Sequence, residues 1–337
     1  MSVRLSLVIP CYNEEEALPL VVPQLEAFMH DLMARGKITS DSNIWMVDDG
    51  SKDATWSLLQ SLAAGNGLFV GVKLSRNRGH QNALLAGLLS ADGDAIVSID
   101  ADLQDDLGAI EKMVDAYAAG YEIVYGVRAA RDTDTWFKRQ TALKYYGLLR
   151  FLGVDIIPNH ADFRLMGRAA IAALSEHGEV NLFLRGIIPQ LGFRSTSVFY
   201  DRRDRVAGES KYPLRKMLKL ALDGITSFSP APLRMIAGLG GVVFVLSFAM
   251  TLWVLGVRLF TERALPGWAS TTLPIYALGG VQLLCLGIIG EYVAKIYSET
   301  KARPRFLIEC VERREAVTQA GSSTPSSAAA RVVAVPR

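Results

Sequence analysis

Asp100 and Asp102 stand one residue apart, directly after the apolar run Ala95–Ile99. Two carboxylates at that spacing, just past a strand, can both approach one hard cation. Mg²⁺ or Mn²⁺ is typically held by one or two carboxylates together with substrate phosphates. Such an ion neutralises charge that builds on a diphosphate leaving group. An isolated Asp-x-Asp pair is a common surface feature, but here it has company. The run Leu5–Ile9 ends in Pro10-Cys11-Tyr12-Asn13-Glu14, and Ile44–Val47 ends in Asp48-Asp49-Gly50-Ser51. No GxGxxG follows the first run and no GxxxxGK[ST] occurs, which disfavours a dinucleotide fold and a P-loop. Acidic strand ends at a nucleotide site suit recognition of base and ribose, with the phosphates met through a divalent cation.

The elements that must position these groups alternate. Strand-like runs at Leu5–Ile9, Ile44–Val47, Leu68–Leu74, Ala95–Ile99 and Glu122–Val127 are interleaved with helical spacing at Ala17–Met33, Ser57–Leu62 and His80–Leu89. Strand, helix, strand with short links predicts an α/β fold with a parallel sheet and right-handed crossovers. Ligands of such sheets bind at the C-terminal strand ends, which is where the acidic residues fall.

The chain has 337 residues, about two domains in length, and half of them are hydrophobic. A net charge of +2 from 36 basic and 34 acidic residues argues against a disordered chain and against a nucleic-acid binder. Cys11, Cys285 and Cys310 are far apart, so neither a disulfide framework nor a zinc site is expected. The opening MSVRLSLVIP reads as a strand and not as a secretory leader. The histidines at 30, 80, 160 and 177 lack ligand spacing, and His80 reads as a structural brace.

The apolar residues cluster late. Met235–Val257 and Ala264–Gly290 carry no charge. At 1.5 Å per residue the first would span roughly 35 Å, enough for a hydrocarbon core of about 30 Å. The pattern predicts a two-helix transmembrane hairpin over residues 233–292, with spans at about 235–257 and 267–290. Arg215, Lys216, Lys219 and Arg234 precede it, and Lys295, Lys301, Arg303 and Arg305 follow. Positive-inside bias then places both termini in the cytoplasm of a multi-pass inner-membrane protein. Residues 213–232 mix cations with a helical apolar pattern and read as an amphipathic juxtamembrane helix. Residues 1–212 are the cytoplasmic catalytic domain, 293–314 a cytoplasmic segment, and 315–337 a disordered tail. Small residues in the spans are compatible with a dimer or tetramer.

The motifs IPCYNEE (9–15), VDDGSKDAT (47–55), LSRNRGHQNAL (74–84), DADLQD (100–105), GVR (126–128), DFRLMGR (162–168) and RVAGESKYP (205–213) resemble those of family 2 glycosyltransferases of GT-A fold. More narrowly they are similar to the polyprenyl-phosphate glycosyltransferases, and above all to the bactoprenol glucosyl transferases. The resemblance covers about residues 3–310. It implies a Rossmann-like, mostly parallel catalytic domain. It implies a nucleotide pocket lined by Pro10, Tyr12 and Glu14, flanked by Val47 and Lys52, with Asp49 accepting from the uracil imide. Asp100 and Ala101 would lie near the ribose and diphosphate. Asp102, with Asp100 and Gln104, would hold Mg²⁺ or Mn²⁺.

The same resemblance implies a UDP-sugar donor, a polyprenyl phosphate acceptor and membrane lipid as partners. Arg128, Arg131, Arg202, Arg205 and Lys211 are the expected phosphate ligands, because arginine forks bind phosphate bidentately. Arg185 is a further candidate. Asp162 is the implied catalytic base, alongside Asp102. A monoester phosphate has a second pKa near 6, so the acceptor needs little help from a base. Asp162 could instead orient the acceptor, or pair with Arg164 or Arg168. Glucose is the first sugar expected, then an N-acetylhexosamine, then 4-deoxy-4-formamido-arabinose. A processive synthase lacks support because no QxxRW-type motif occurs, and a non-catalytic scaffold because no motif has decayed.

Overall fold

The computed structural model describes residues 2–128, 160–179, 182–201, 231–260 and 268–314. The five apolar runs form β1 (Leu5–Cys11), β2 (Asn43–Asp48), β3 (Phe69–Leu74), β4 (Ala95–Ser98) and β5 (Ile123–Arg128). Every residue of β1, β2 and β4 is buried. Such continuous apolar strands belong to a sheet covered on both faces. The covering helices are α1 (Leu18–Ala34), α2 (Thr55–Gly65), α3 (His80–Ser90) and α4 (Leu107–Ala118), followed by α5 (Arg168–Ser175) and α6 (Leu184–Gln190).

Three further strands complete the sheet: β6 (His160–Gly167), β7 (Ser195–Tyr200) and β8 (Ile308–Arg313). The spatial order is β7-β5-β6-β4-β1-β2-β3-β8. The block β4-β1-β2-β3 is parallel, as expected. The whole sheet is mixed, the GT-A-like arrangement that the resemblance implies. β6 is antiparallel to both β4 and β5, β7 is parallel to β5, and β8 is antiparallel to β3. The reversal of β6 matters for chemistry. It brings the start of β6 to the C-terminal end of β4, in a register that pairs Ser98 with Arg164. The Ser98 hydroxyl donates to the Asp162 carbonyl, so Asp162 arrives beside the Asp100 loop.

Helix α3 lies tight on the sheet. A Cβ at Gly87 would stand 2.3 Å from Cγ1 of Val8 and 2.8 Å from Cγ2 of Val47. Glycine is required there, and it anchors the helix whose first residue is His80.

The described chain divides into two units. One holds the sheet and α1–α6, together with the segment from Arg303 that contains β8. The other holds α7 (Ala231–Phe260) and α8 (Trp268–Thr300), which pack on each other. The segment after the second apolar stretch thus behaves in two ways: it extends α8 to Thr300, then rejoins the sheet as an edge strand. Among the described residues one segment, Val281–Thr300, is long and apolar enough to cross a membrane, and no part of it is buried. Large apolar side chains are exposed on both helices, among them Val242, Val245 and Trp253 on α7 and Leu283, Leu286 and Ile296 on α8. The predicted amphipathic segment lies outside the described residues except for the first residues of α7, as does the predicted tail.

Candidate active site

The β1 and β2 ends are laced into one rim. Asn13 adopts a left-handed backbone with φ of 55°, a conformation that asparagine tolerates better than most residues. Its side-chain oxygen accepts from the Lys52 N–H at 2.9 Å, and its own N–H donates to Ser51 Oγ at 3.0 Å. The Glu14 N–H donates to Thr55 Oγ1 at 2.8 Å, and Glu15 Oε2 accepts from the Ala54 N–H at 2.9 Å. This rim encloses a cleft of about 420 Å³ lined by residues 13–17, Lys52 and Asp53. Tyr12 is 41% exposed, leaving its ring available for stacking. Pro10 and Val47 are buried partners in the β1–β2 register, so they support the rim from beneath.

Asp49 is buried, and both of its oxygens are engaged: Oδ1 accepts from the Arg78 N–H at 2.7 Å and Oδ2 from the Gly79 N–H at 2.9 Å. Burial raises its pKa, and the two backbone donors oppose that shift. Asp49 therefore fixes the Arg78–Gly79 turn, where Gly79 has φ of 89°. Its neighbour Asp48 shows a different pattern. Asp48 Oδ1 accepts from the Ser51 N–H at 3.1 Å, while Oδ2 is buried and has no hydrogen-bond partner among the described residues. A buried lone acceptor is costly, and at this rim Asp48 is an acceptor the sequence reading did not single out.

The DADLQD loop follows β4. Leu103 has φ of 44° although it is not glycine, and its side chain is buried. The Gln104 N–H donates to Asp102 Oδ1 at 3.3 Å, closing a small turn on the Asp102 carboxylate. Burial raises the Asp100 pKa to about 6, with His80 opposing the shift and the charges of Asp162, Asp105 and Asp102 adding to it. Carboxylates gathered around Asp100 in this way are a donor set matched to a cation. Among the described residues no three acidic, His or Cys side chains form a metal cage. An Asp100–Asp102 pair is nevertheless what a phosphate-bridged Mg²⁺ or Mn²⁺ uses.

Asp162 sits at the centre of the cations. Arg164 Nη2 donates to its Oδ1 at 2.6 Å; Arg185 gives it Nε at 3.2 Å and Nη2 at 3.0 Å. Burial pushes the Asp162 pKa up, but Arg185 and Arg164 outweigh it and hold the group well below the usual carboxylate range. Of the two partners considered for Asp162, Arg164 is realised. Arg168 instead donates to the carbonyls of Ala91 and Gly93. His80 stands between the two acidic centres, with Nε2 3.5 Å from Asp100 Oδ1 and 3.8 Å from Asp162 Oδ2.

Arg128 points inward and not only toward a ligand. Its Nε donates to the Tyr200 hydroxyl at 3.3 Å and its Nη2 lies 3.4 Å from Asp105 Oδ1. The Tyr200 hydroxyl donates to the same Asp105 oxygen at 2.5 Å. Sequence reasoning named neither Asp105 nor Tyr200. Arg131, Arg202, Arg205 and Lys211 lie outside the described residues.

Residues 6–175 match the Glycosyl transferase family 2 domain, and the chain belongs to that family. It is a glycosyltransferase. It is 50% identical over 311 residues to the uncharacterized glycosyltransferase YkoT of Bacillus subtilis (strain 168), covering 90% of this chain and 91% of that one. It is 39% identical over 307 residues to the bactoprenol glucosyl transferase of Shigella phage SfX, covering 91% and 99%. A solved structure, the mannosyltransferase PcManGT from Pyrobaculum calidifontis in complex with GDP-Man and Mn²⁺, aligns at 18% identity with a TM-score of 0.46, covering 90% of this chain and 86% of that one.

Proposed function

We propose that this glycosyltransferase moves glucose from UDP-glucose to a polyprenyl phosphate, such as undecaprenyl phosphate, at the cytoplasmic face of a membrane. The relative from phage SfX, a bactoprenol glucosyl transferase by name, supports both the sugar and the acceptor. The observation that carries the reading is the meeting of two opposite fields where β4 ends and β6 begins. Asp100 and Asp102 suit a metal-bound diphosphate, while Arg185, held by Asp162, suits a second phosphate, and His80 links the two centres at 3.5 Å from Asp100 and 3.8 Å from Asp162.

Asp100 and Asp102, with Gln104 beside them, are the residues that would hold Mg²⁺ or Mn²⁺. Bound there, the ion supplies charge neutralisation for the departing diphosphate. The chain's own residues do the rest. Tyr12 offers an exposed face to the base. An acceptor phosphate oxygen attacks the anomeric carbon, the bond from that carbon to the UDP oxygen breaks, and UDP leaves with the electron pair. The centre inverts because attack and departure occur on opposite faces. The acceptor is mostly dianionic at neutral pH, so no proton has to move. That agrees with Asp162, whose two arginines make it a poor base. Its work is to aim Arg185 and His80, and general-base action is confined to the residual monoanion.

Topology supports a hairpin anchor. Strands β1–β7 and β8 belong to one sheet, so they lie on the same side of any membrane the chain crosses. The number of crossings between them must be even. Val281–Thr300 on α8 cannot cross alone, and α7, 30 residues long and about 45 Å at 1.5 Å per residue, is the second crossing. Both ends then lie on one side, and the cations that flank the helices favour the cytoplasm.

The test is a product assay. Full-length protein in detergent receives undecaprenyl phosphate, Mn²⁺ or Mg²⁺ and a panel of labelled UDP-sugars. A metal-dependent glucolipid is the expected product. Transfer from an N-acetylhexosamine or a modified arabinose donor would replace the sugar, and UDP binding without transfer to any lipid phosphate would overturn the acceptor.

A further inference from the structure

Leu103 is an L-residue in the left-handed region, one position after Asp102. A conformation of this kind costs about 1–3 kcal/mol and persists only where the surroundings over-determine it. Two restraints are visible. On one side the Leu103 side chain is buried. On the other, the Asp105 carboxylate is buried and takes hydrogen bonds from Tyr200 at 2.5 Å and Arg128 at 3.4 Å. The strands that bring these two residues, β5 and β7, pair directly, with Arg128 opposite Tyr200. The Tyr200 ring is itself fixed edge-on against Phe163, with centroids 5.1 Å apart at 85°. Phe163 lies between Asp162 and Arg164 on β6. The strained turn is thus pinned at both ends, and the Asp102 carboxylate is carried on it.

We propose that Tyr200 is a positioning residue for the metal-binding loop: its hydroxyl, through Asp105, sets the aim of Asp102. The proposal rests on the reading of Asp100 and Asp102 as metal-side carboxylates. Groups that hold metal ligands in orientation cost about 10–100-fold in metal affinity when lost. Tyr200→Phe keeps the ring against Phe163 and removes only the hydroxyl, so packing and positioning separate.

The experiment is Mn²⁺ binding to full-length protein saturated with UDP, followed by calorimetry or by the free-ion resonance signal, with no sugar transfer required. Tyr200→Phe is expected to weaken Mn²⁺ binding by about tenfold, to raise the Mn²⁺ concentration needed for half-maximal transfer in parallel, and to change kcat little at saturating metal. Asp105→Asn is the second variant, since it keeps an acceptor for the tyrosine but loses the charge. It is expected to fall between wild type and Tyr200→Phe, and it stands in for Tyr200→Phe if that variant does not fold. Unaltered Mn²⁺ affinity in a folded variant, whatever its melting temperature, would overturn the positioning role and leave Tyr200 structural. Wild-type protein that binds UDP but no Mn²⁺ would overturn the underlying reading of the carboxylates instead.

Discussion

Arg185 meets the Asp162 carboxylate edge to edge, Nε on one oxygen and Nη2 on the other, at 3.2 and 3.0 Å. The same carboxylate takes Arg164 from the buried side at 2.6 Å. One acid therefore separates two guanidiniums of different character: Arg164 is fully buried and structural, while the Arg185 side chain is 39% exposed and can reach a ligand.

Asp162→Asn should act on both. Turnover should fall by about a hundredfold through misplacement of Arg185, with UDP affinity little changed. Stability should fall by about 3–5 kcal/mol, the cost of stranding a buried charge. Steady-state kinetics, UDP calorimetry and chemical denaturation separate the three effects. Full turnover in the variant would remove Asp162 from the mechanism.

The pH dependence of that stability difference has a definite sign. The folded-state pKa of Asp162 is lowered by its arginines, against about 3.9 in an unfolded chain. The stabilisation is fully present above the unfolded value and is lost as pH falls through the folded one. Wild type and Asp162→Asn should differ by a constant amount between pH 5 and 8, and the gap should narrow progressively as pH falls below about 4. Urea midpoints measured across that range provide the check.

Arg185→Lys should raise the acceptor KM by about tenfold, the loss of one charge-assisted hydrogen bond. Donor KM and Mn²⁺ dependence should stay near wild type. A change in donor KM alone would assign Arg185 to the diphosphate and not to the acceptor.

Gly87→Ala tests the seat of α3. The new methyl would lie 2.3 Å from Val8 and 2.8 Å from Val47, so overpacking should cost about 1–3 kcal/mol. Because His80 begins that helix, transfer should drop as well. Thermal melts with and without UDP would register both.

Impermeant thiol labelling tests the hairpin. In a chain cleared of Cys11, Cys285 and Cys310, a cysteine at Ser2 or Arg314 should be protected in intact cells, and one at Glu262 should react. Reaction or protection at all three would remove the hairpin, and reaction at only one of Ser2 and Arg314 would break the even-crossing topology.

Much of the parallel block β4-β1-β2-β3 was legible in the chain, because each of its strands is an apolar run cut off by polar residues. The rest was hidden for identifiable reasons. β6 carries Asp162 and Arg164 inside the core, and their mutual neutralisation conceals a strand behind charged residues. β7 alternates exposed and half-buried positions until Tyr200, and its partner Asp105 lies 95 residues earlier. β8 looks like a charged segment after a hydrophobic span; only its pairing with β3 makes Lys73–Glu309 a cross-strand pair and brings Arg313 to Asp92 in the loop before β4.

That last strand also sets an order of assembly. β3 stays an open edge until residues 308–313 have been synthesised, which happens only after α7 and α8 have been synthesised. Ser75, at the start of the loop that carries Arg78 and Gly79, gains its partner, the Leu307 carbonyl, at the same moment. An unpaired edge invites association with other chains. The sheet is closed, and the rim of the donor cleft tied down, only in a molecule whose hydrophobic helices already exist, so the completed catalytic unit is born attached to them.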